Sequence, residues 1–489
     1  MPHSLPSPAP LDPAQRKWWL PGVFALGLLL RLLLTWGDGT LDVNSWKAWA
    51  WAAATDGAQR IYGSNEPIPP TLAGAAAALS GETVNRKVVY RGVKYYVDYP
   101  PLTMYYLAIA GKLYLASDPA FAHADRPGYL ERPLLNFLVR LPSLLSDIAV
   151  FALLWLVSGR WRRGEAGTEV DRSRRPTIKL LAAYWFNPAL ILALSLGYLD
   201  ATFTLPLLGA VVLLMESRYA LAWLLFAASV LTKLQGVFLL PLLLVVSLAR
   251  WRRLPGYLLT ASATVAALLT PYFFSGRLLD LLAGLSYNGR ENFVSGNNAN
   301  GWWLLSYLHA AQKGGFGVRT DLLPLDLLSS EWAGLSPRLL GLLLYAAYAL
   351  LLLTWYWRKR GSAVNIPLAG ALLYYGYTIF LTQVHENHLY PVFALLSLAM
   401  LFPTLERRGL GAAYVALSVV YFLNMFLFYG LGRGSWLDGE GGGLRMLPGF
   451  DLSVPLAVAN LLLFGWLNWL LLQEGDAGYY RQLPRRSIK

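Results

Sequence analysis

The sequence predicts an all-α, polytopic helical membrane protein of about 12 spans, and three observations carry that expectation. The 489-residue chain is 56% hydrophobic and only 14% charged, with a mean hydropathy of +0.43. Its repeated apolar windows match the ~17–25 residues needed to cross a ~30 Å hydrocarbon core. Its basic residues gather in short loops between those windows, the bias that marks the cytoplasmic side. The apolar runs are long and do not alternate, which argues against a β-barrel. A single membrane domain is expected over 18–475. It is flanked by a Pro-rich, disordered cytoplasmic N-terminus at 1–17 and a basic cytoplasmic tail at 476–489.

Arg16-Lys17 precede the apolar stretch Trp18–Trp36, and no small-residue cleavage site follows it. That pattern reads as an uncleaved signal anchor. Residues 37–100 then form a long, structured outer loop, the expected catalytic loop. Within it Trp46, Trp49, Ala50 and Ala53 share one helical face, as in an amphipathic helix lying flat at the interface. Gly/Pro-rich 63–82 reads as loop, and Val88–Val97 as a short hairpin around Arg91-Gly92. Segments 101–117 and 134–158 must together make one net crossing. Pro101–Ser117 is therefore read as re-entrant or interfacial, and 134–158 as the span. Further spans are expected at 180–197, 201–215, 219–232, 236–249, 256–273, 336–356, 364–381, 389–404, 410–430 and 453–472. Basic stretches at 160–163, 172–179, 250–253, 358–360, 407–408 and 485–489 place the intervening loops in the cytoplasm. Asp200, Lys233, loop 275–335 and His385–His388 then face outward.

The net charge of +13 is accounted for by those loops, so nucleic acid is not an expected partner. The absence of cysteine excludes disulfides and thiolate metal sites. It fits a bacterial or archaeal plasma membrane. There is no Asn-x-Ser/Thr sequon.

Polar residues at membrane depth are costly, so their placement is informative. His385-Glu386-Asn387-His388-Leu389 lies between two apolar spans. His385 and His388 have the i, i+3 spacing of a zinc pair but no visible third ligand, and the stretch is not H-E-x-x-H; imidazoles on a phosphate fit it better. Asp42 and Asp38 follow the first span, where a carboxylate reads either as a general base or as a helix N-cap. Asp98 before Tyr99-Pro100-Pro101-Leu102 combines an acid with a rigid turn, and an N-cap is the alternative. Arg31 lies near the outer end of the first span, to snorkel or to fork onto a phosphate. Lys233 and Gln235 sit in a short outer loop, beside solvent or beside an anionic headgroup. Arg140 and Asp147 are two turns apart and each needs another partner. Asn297-Asn298-Ala299-Asn300-Gly301-Trp302-Trp303 offers amides and indoles, suited to sugar faces or to helix anchoring.

These segments, in this order, resemble a known family. Asp98-Tyr99-Pro100-Pro101-Leu102 resembles the D-Y-P-P-L motif of ALG6/ALG8-type glucosyltransferases. Val384-His385-Glu386-Asn387-His388-Leu389 is similar to their V-H-E-K-H segment and to H-E-R-H/Y-L-x-P of bacterial mannosyltransferase-like membrane proteins, with Asn387 in place of the usual cation. Thr232-Lys233-Leu234-Gln235 resembles K-x-Q. Asn187-Pro188 with Gly197-Tyr198-Leu199-Asp200 resembles N-P…G-x-x-D. Arg140-Leu141-Pro142-Ser143…Asp147 and Asp42…Trp49-Ala50…Gly57…Tyr62 fit as well. The resemblance covers about 25–395 and is to the GT-C class of polyprenyl-phosphate-sugar glycosyltransferases.

It implies a GT-C fold, an inverting hexosyltransferase using a polyprenyl-phosphate glucose or mannose, and many members without a metal. Asp42, with Asp38 as fallback, takes the role of base. His385, His388, Lys233 and Arg31 are expected to hold the donor phosphate, with Gln235, Glu386, Asp98 and Asn300 also binding substrate. The expected acceptor is a lipid-linked glycan, glycolipid or protein hydroxyl at the outer face, and no cofactor is expected. A flippase or transporter of lipid-linked sugars is the alternative. It would place ionisable groups at the midplane of a repeat interface, and no internal repeat is visible. A non-catalytic scaffold would not need this set of acids and histidines.

Overall fold

A computed structural model describes residues 13–62, 67–80, 88–162, 181–287, 293–312, 334–358, 363–402, 409–432, 444–447 and 450–473. The expected tail 476–489 and the basic stretches 172–179 and 407–408 lie outside the described residues.

The chain begins with α1 (Pro13–Leu34), so residues 13–17 are helical rather than disordered; Pro13 suits a first helical position. Next come α2 (Leu41–Thr55), α3 (Leu72–Ser80), β1 (Val88–Tyr90), β2 (Val93–Tyr95), α4 (Pro101–Ser117) and α5 (Leu134–Arg162). A π turn, Leu181–Trp185, leads into α6 (Pro188–Leu196), α7 (Asp200–Met215) and α8 (Tyr219–Thr232). A 3-10 turn, Leu234–Leu239, leads into α9 (Leu240–Leu248), α10 (Leu254–Phe274) and α11 (Leu278–Tyr287). Then follow β3 (Ser295–Gly296), α12 (Gly301–Gln312), α13 (Pro337–Arg358), α14 (Ile366–Phe380), β4 (Val384–His385), α15 (Tyr390–Ala399) and α16 (Leu410–Tyr429). The last elements are β5 (Met446–Leu447), β6 (Phe450–Asp451) and α17 (Ser453–Leu472).

The fold is all-α and polytopic. Among the described residues, six helices are long and apolar enough to cross a membrane: Leu134–Arg160, Trp251–Phe274, Pro337–Arg358, Ala363–Phe380, Leu410–Tyr429 and Ser453–Leu472. Five shorter apolar helices accompany them. Their breaks have local causes. Pro188 follows the capping Asn187, whose side chain accepts from Ala189 N, and Gly197 ends α6 in the left-handed region at φ +92°. The expected 236–249 span is a 3-10 turn followed by a short helix. Short and broken helices are tolerated at membrane depth where protein surrounds them, and α6 and α7 are mostly buried.

Two large hydrophobic cores, with two small clusters around Trp302 and Trp303, are found among the described residues. The larger joins α5–α9 with α13–α17. The smaller is built by α2, α4, the hairpin and the start of α5. The Trp-rich helix α2 belongs to this second core. Trp46, Lys47, Ala48, Trp49 and Ala50 are all buried, so the helix is enclosed by protein rather than lying half-immersed as expected. α4 packs so closely on it that a Cβ at Gly111 would lie 2.0 Å from Ala50 O. The hairpin forms as expected: Val88 pairs with Tyr95, and Arg91 (φ +52°) and Gly92 (φ +79°) make the turn, the backbone of a type I′ hairpin. The stretch 63–82, expected to be loop, contains α3, whose Ala-rich run outweighs Gly74; 63–66 and 81–82 lie outside the described residues.

Candidate functional site

The loop joining α14 to α15 forms the centre of the site. Gln383 adopts φ +62°, and β4 then pairs in parallel with β3, Gly296 opposite His385. Only glycine fits there, because a Cβ at Gly296 would lie 2.6 Å from His385 Nδ1. Phe293 meets the His385 ring edge-on at 5.1 Å. A 3-10 turn, Glu386–Leu389, buries Glu386, Asn387 and His388.

His388 is held on both ring nitrogens. Tyr377 OH lies 2.6 Å from Nδ1 and His385 N donates to the same atom at 3.4 Å. A backbone N–H can only donate, so Nδ1 accepts and the proton sits on Nε2. As placed, the Gln235 amide nitrogen faces His388 Nε2 at 3.3 Å; with the proton on His388 Nε2, we assign the amide turned over so that its oxygen accepts. Burial, followed by the Lys233 and His385 charges, holds the imidazole well below its usual range, so it is neutral.

Beside it, Asp200 begins α7. Its carboxylate accepts from Lys233 Nζ at 2.8 Å and from Asn387 Nδ2 at 2.7 Å. Lys233 Nζ also lies 5.6 Å from the Tyr99 ring and 5.7 Å from Phe203. The segment Gly197–Asp200 locks these parts together. Trp46 Nε1 donates to Gly197 O at 2.9 Å, and Tyr198 OH donates to Glu386 Oε1. Burial pushes the Glu386 carboxyl up, against the lowering effects of His385 and the Tyr198 hydroxyl. Its Oε2 is buried and has no hydrogen-bond partner among the described residues. Asp42, exposed in the first turn of α2, lies within electrostatic reach of Glu386, Tyr198 and Tyr429.

The structure thus gathers Asp42, Lys233, Gln235, His385, Glu386 and His388, with Asp200 and Asn387, at one end of the helix bundle. The other candidates have different partners. Arg31 donates to Asp147 at 2.5 Å and to Trp185 O at 2.7 Å, with its guanidinium 4.0 Å from the Trp185 ring centroid. Tyr184 and Tyr390 complete that carboxylate at 2.9 and 2.7 Å. Arg31 is therefore engaged by Asp147 inside the bundle rather than standing at a phosphate. Asp38 accepts from Asn136 at 3.1 Å and feels Arg140 and Lys47. Arg140 donates to Thr35 O at 3.1 Å, capping the end of α1. Asp98 sits in the field of Tyr62, whose hydroxyl donates to Tyr99 O at 2.5 Å. Asn300 caps α12: Trp303 N donates to Oδ1 at 3.0 Å, and Nδ2 donates to Thr378 O at 2.9 Å.

Sequence reasoning missed Tyr377 and Tyr429. Each lies near the C-terminal end of a span that points at the cluster, and that position is the signal that would have found them. Tyr429 OH accepts from Asn297 at 2.8 Å, and Asn297 holds φ +58°. Among the described residues no group of three or more His, Asp or Glu side chains converges as a metal-ligand set.

A family model, GPI transamidase subunit PIG-U, matches residues 87–304. That stretch carries Asp98, Asp200, Lys233 and Gln235, but neither Asp42 nor the 385–389 segment. No curated protein matches. A crystal structure of ArnT from Cupriavidus metallidurans bound to undecaprenyl phosphate aligns at 15% identity with a TM-score of 0.44. The apo structure of the same protein gives 15% identity and 0.39. Both alignments cover 93% of this chain and 77% of ArnT.

Proposed function

We propose that this protein is a membrane glycosyltransferase of GT-C type, moving a hexose from a polyprenyl-phosphate sugar to an acceptor hydroxyl at the extracytoplasmic face. The observation that carries this reading is the convergence of an exposed carboxylate, Asp42, with a neutral imidazole, His388, an ammonium, Lys233, and an incompletely bonded carboxyl, Glu386. Asp42 takes the acceptor proton. The acceptor oxygen forms the new glycosidic bond at the anomeric carbon from the side opposite the phosphate. The carbon–phosphate-oxygen bond breaks with its electrons on the phosphate, which inverts the configuration. His388 Nε2–H, His385 and Lys233 are the donors arranged to steady that departing charge. Gln235 and Asp200 hold two of them in place. Both sugar and acceptor, whether glycan, glycolipid or protein, are open choices of this reading, and membrane lipid is its second partner.

A second reading is favoured by one observation. PIG-U is by its description a GPI transamidase subunit, and its model matches this chain across 87–304. A non-catalytic subunit would use the same cluster as scaffolding, with Lys233 permanently tied to Asp200. Incubating the purified protein with a panel of polyprenyl-phosphate glucose and mannose donors, with acceptor lipid, separates the two. The transferase reading expects donor loss matched by an elongated acceptor. Donors that remain intact under every acceptor condition would favour the subunit.

A further inference from the structure

A groove of about 550 Å³ opens between α5, α7 and α8, and none of the clustered polar residues lines it. Its long wall is α7, which contributes residues from Thr202 to Glu216, a rise of ~21 Å. Leu102 and Tyr106 of α4 line the end nearest the polar cluster. Leu156, on the flank, is 63% exposed, so the groove is open to the side.

The far end is charged. Arg160 lies 3.1 Å from Glu216 and keeps 51% of its side chain exposed. Arg218 lines the same mouth, and among the described residues it has no carboxylate partner. Among the described residues two guanidiniums face one carboxylate at this mouth, at the end of an apolar trough. Arginine forks onto phosphate oxygens.

Length selects the occupant. A single leaflet is ~15 Å of hydrocarbon, half of ~30 Å, and an extended acyl chain rooted at the arginines fits a groove of ~21 Å. A polyprenyl chain is much longer than this groove. We propose that this groove binds one acyl chain of an anionic phospholipid from the leaflet opposite the polar cluster, with its phosphate held by Arg160 and Arg218. This site is independent of the transferase reading.

Native mass spectrometry of the detergent-purified full chain tests it, with phosphatidylglycerol, phosphatidylcholine or undecaprenyl phosphate added. Wild type retains phosphatidylglycerol about tenfold better than phosphatidylcholine, the scale of one charge-assisted contact. Arg218→Gln, at an exposed position, loses most of that preference with an unchanged melting temperature. Ala228→Phe, which fills the groove from α8, loses the bound lipid. Equal retention of the two phospholipids by wild type, or wild-type retention of phosphatidylglycerol by both variants, overturns the proposal. It is also overturned if Ala228→Phe displaces undecaprenyl phosphate and leaves phosphatidylglycerol in place.

Discussion

Two polar regions of this bundle use similar residues for opposite ends. At the Arg31–Asp147 knot, both Asp147 oxygens have partners: Tyr184 and Tyr390 donate to Oδ1, and Arg31 to Oδ2. Trp185 supplies a carbonyl and a ring face to the arginine. At the 385–389 loop the polar groups are buried just as deeply, yet Glu386 Oε2 is left without a partner among the described residues, and Asp42 stands exposed beside it. A buried charge is tolerated when its hydrogen bonds are made. The Asp147 carboxylate meets that condition and the ion pair reads as structure, although Arg31 Nη2 has no hydrogen-bond partner among the described residues. At the loop the Glu386 carboxyl is left with one oxygen unbonded among the described residues, and the proposed site assigns that position to a substrate.

The comparison breaks first if the knot is dispensable. Asp147→Asn strands the Arg31 guanidinium inside the bundle and is expected to cost about 3–5 kcal/mol of stability. Thermal unfolding of the purified variant measures this, and a melting temperature equal to wild type would mean that the pair contributes nothing.

The next effect lies at the loop. Lys233→Ala and His388→Ala each remove a donor from the proposed phosphate position. A charge-assisted contact of roughly 1.5–3 kcal/mol corresponds to about a 10–150-fold rise in the apparent donor constant. The acceptor constant is expected to stay close to wild type. Steady-state titration of both substrates decides; movement of the acceptor constant alone would put the phosphate elsewhere.

The smallest effect is a pH signature. Burial raises the Glu386 carboxyl, so the folded state holds a proton that the unfolded chain releases. Stability therefore falls as pH rises through the window that opens at the ordinary carboxylate range. His388 acts in the other direction: its lowered imidazole makes stability fall as pH drops through the ordinary histidine range. Glu386→Gln removes the first dependence. It is expected to raise the melting temperature at pH 7 by about 2–4 °C and to leave it unchanged near pH 4. A fall at pH 7 would show that the carboxylate is charged and bonded in the fold.

Much of the fold was legible because apolar length and breaker residues are local signals. The expected 201–215 span is α7, Asp200–Met215, and 453–472 is α17. What escaped depends on distant partners. Arg31 read as a phosphate contact because Asp147, which claims it, lies 116 residues away. Asn300 sits in an amide- and indole-rich segment suited to a sugar, yet its amide caps a helix and ties it to Thr378 O. α2 looked interfacial because the α4 surface that encloses it is specified elsewhere in the chain. The 385–389 segment was legible for the converse reason: histidines and a glutamate between two spans are unusual wherever their partners lie.

The central claim, that the incompletely bonded cluster is a transferase site with Asp42 as base, is tested most directly by single-turnover transfer from a polyprenyl-phosphate hexose, comparing wild type with Asp42→Asn. Loss of a positioned base is expected to slow transfer by about 10²–10⁴-fold with the melting temperature unchanged, since Asp42 is exposed. Transfer by Asp42→Asn at the wild-type rate would contradict the assignment.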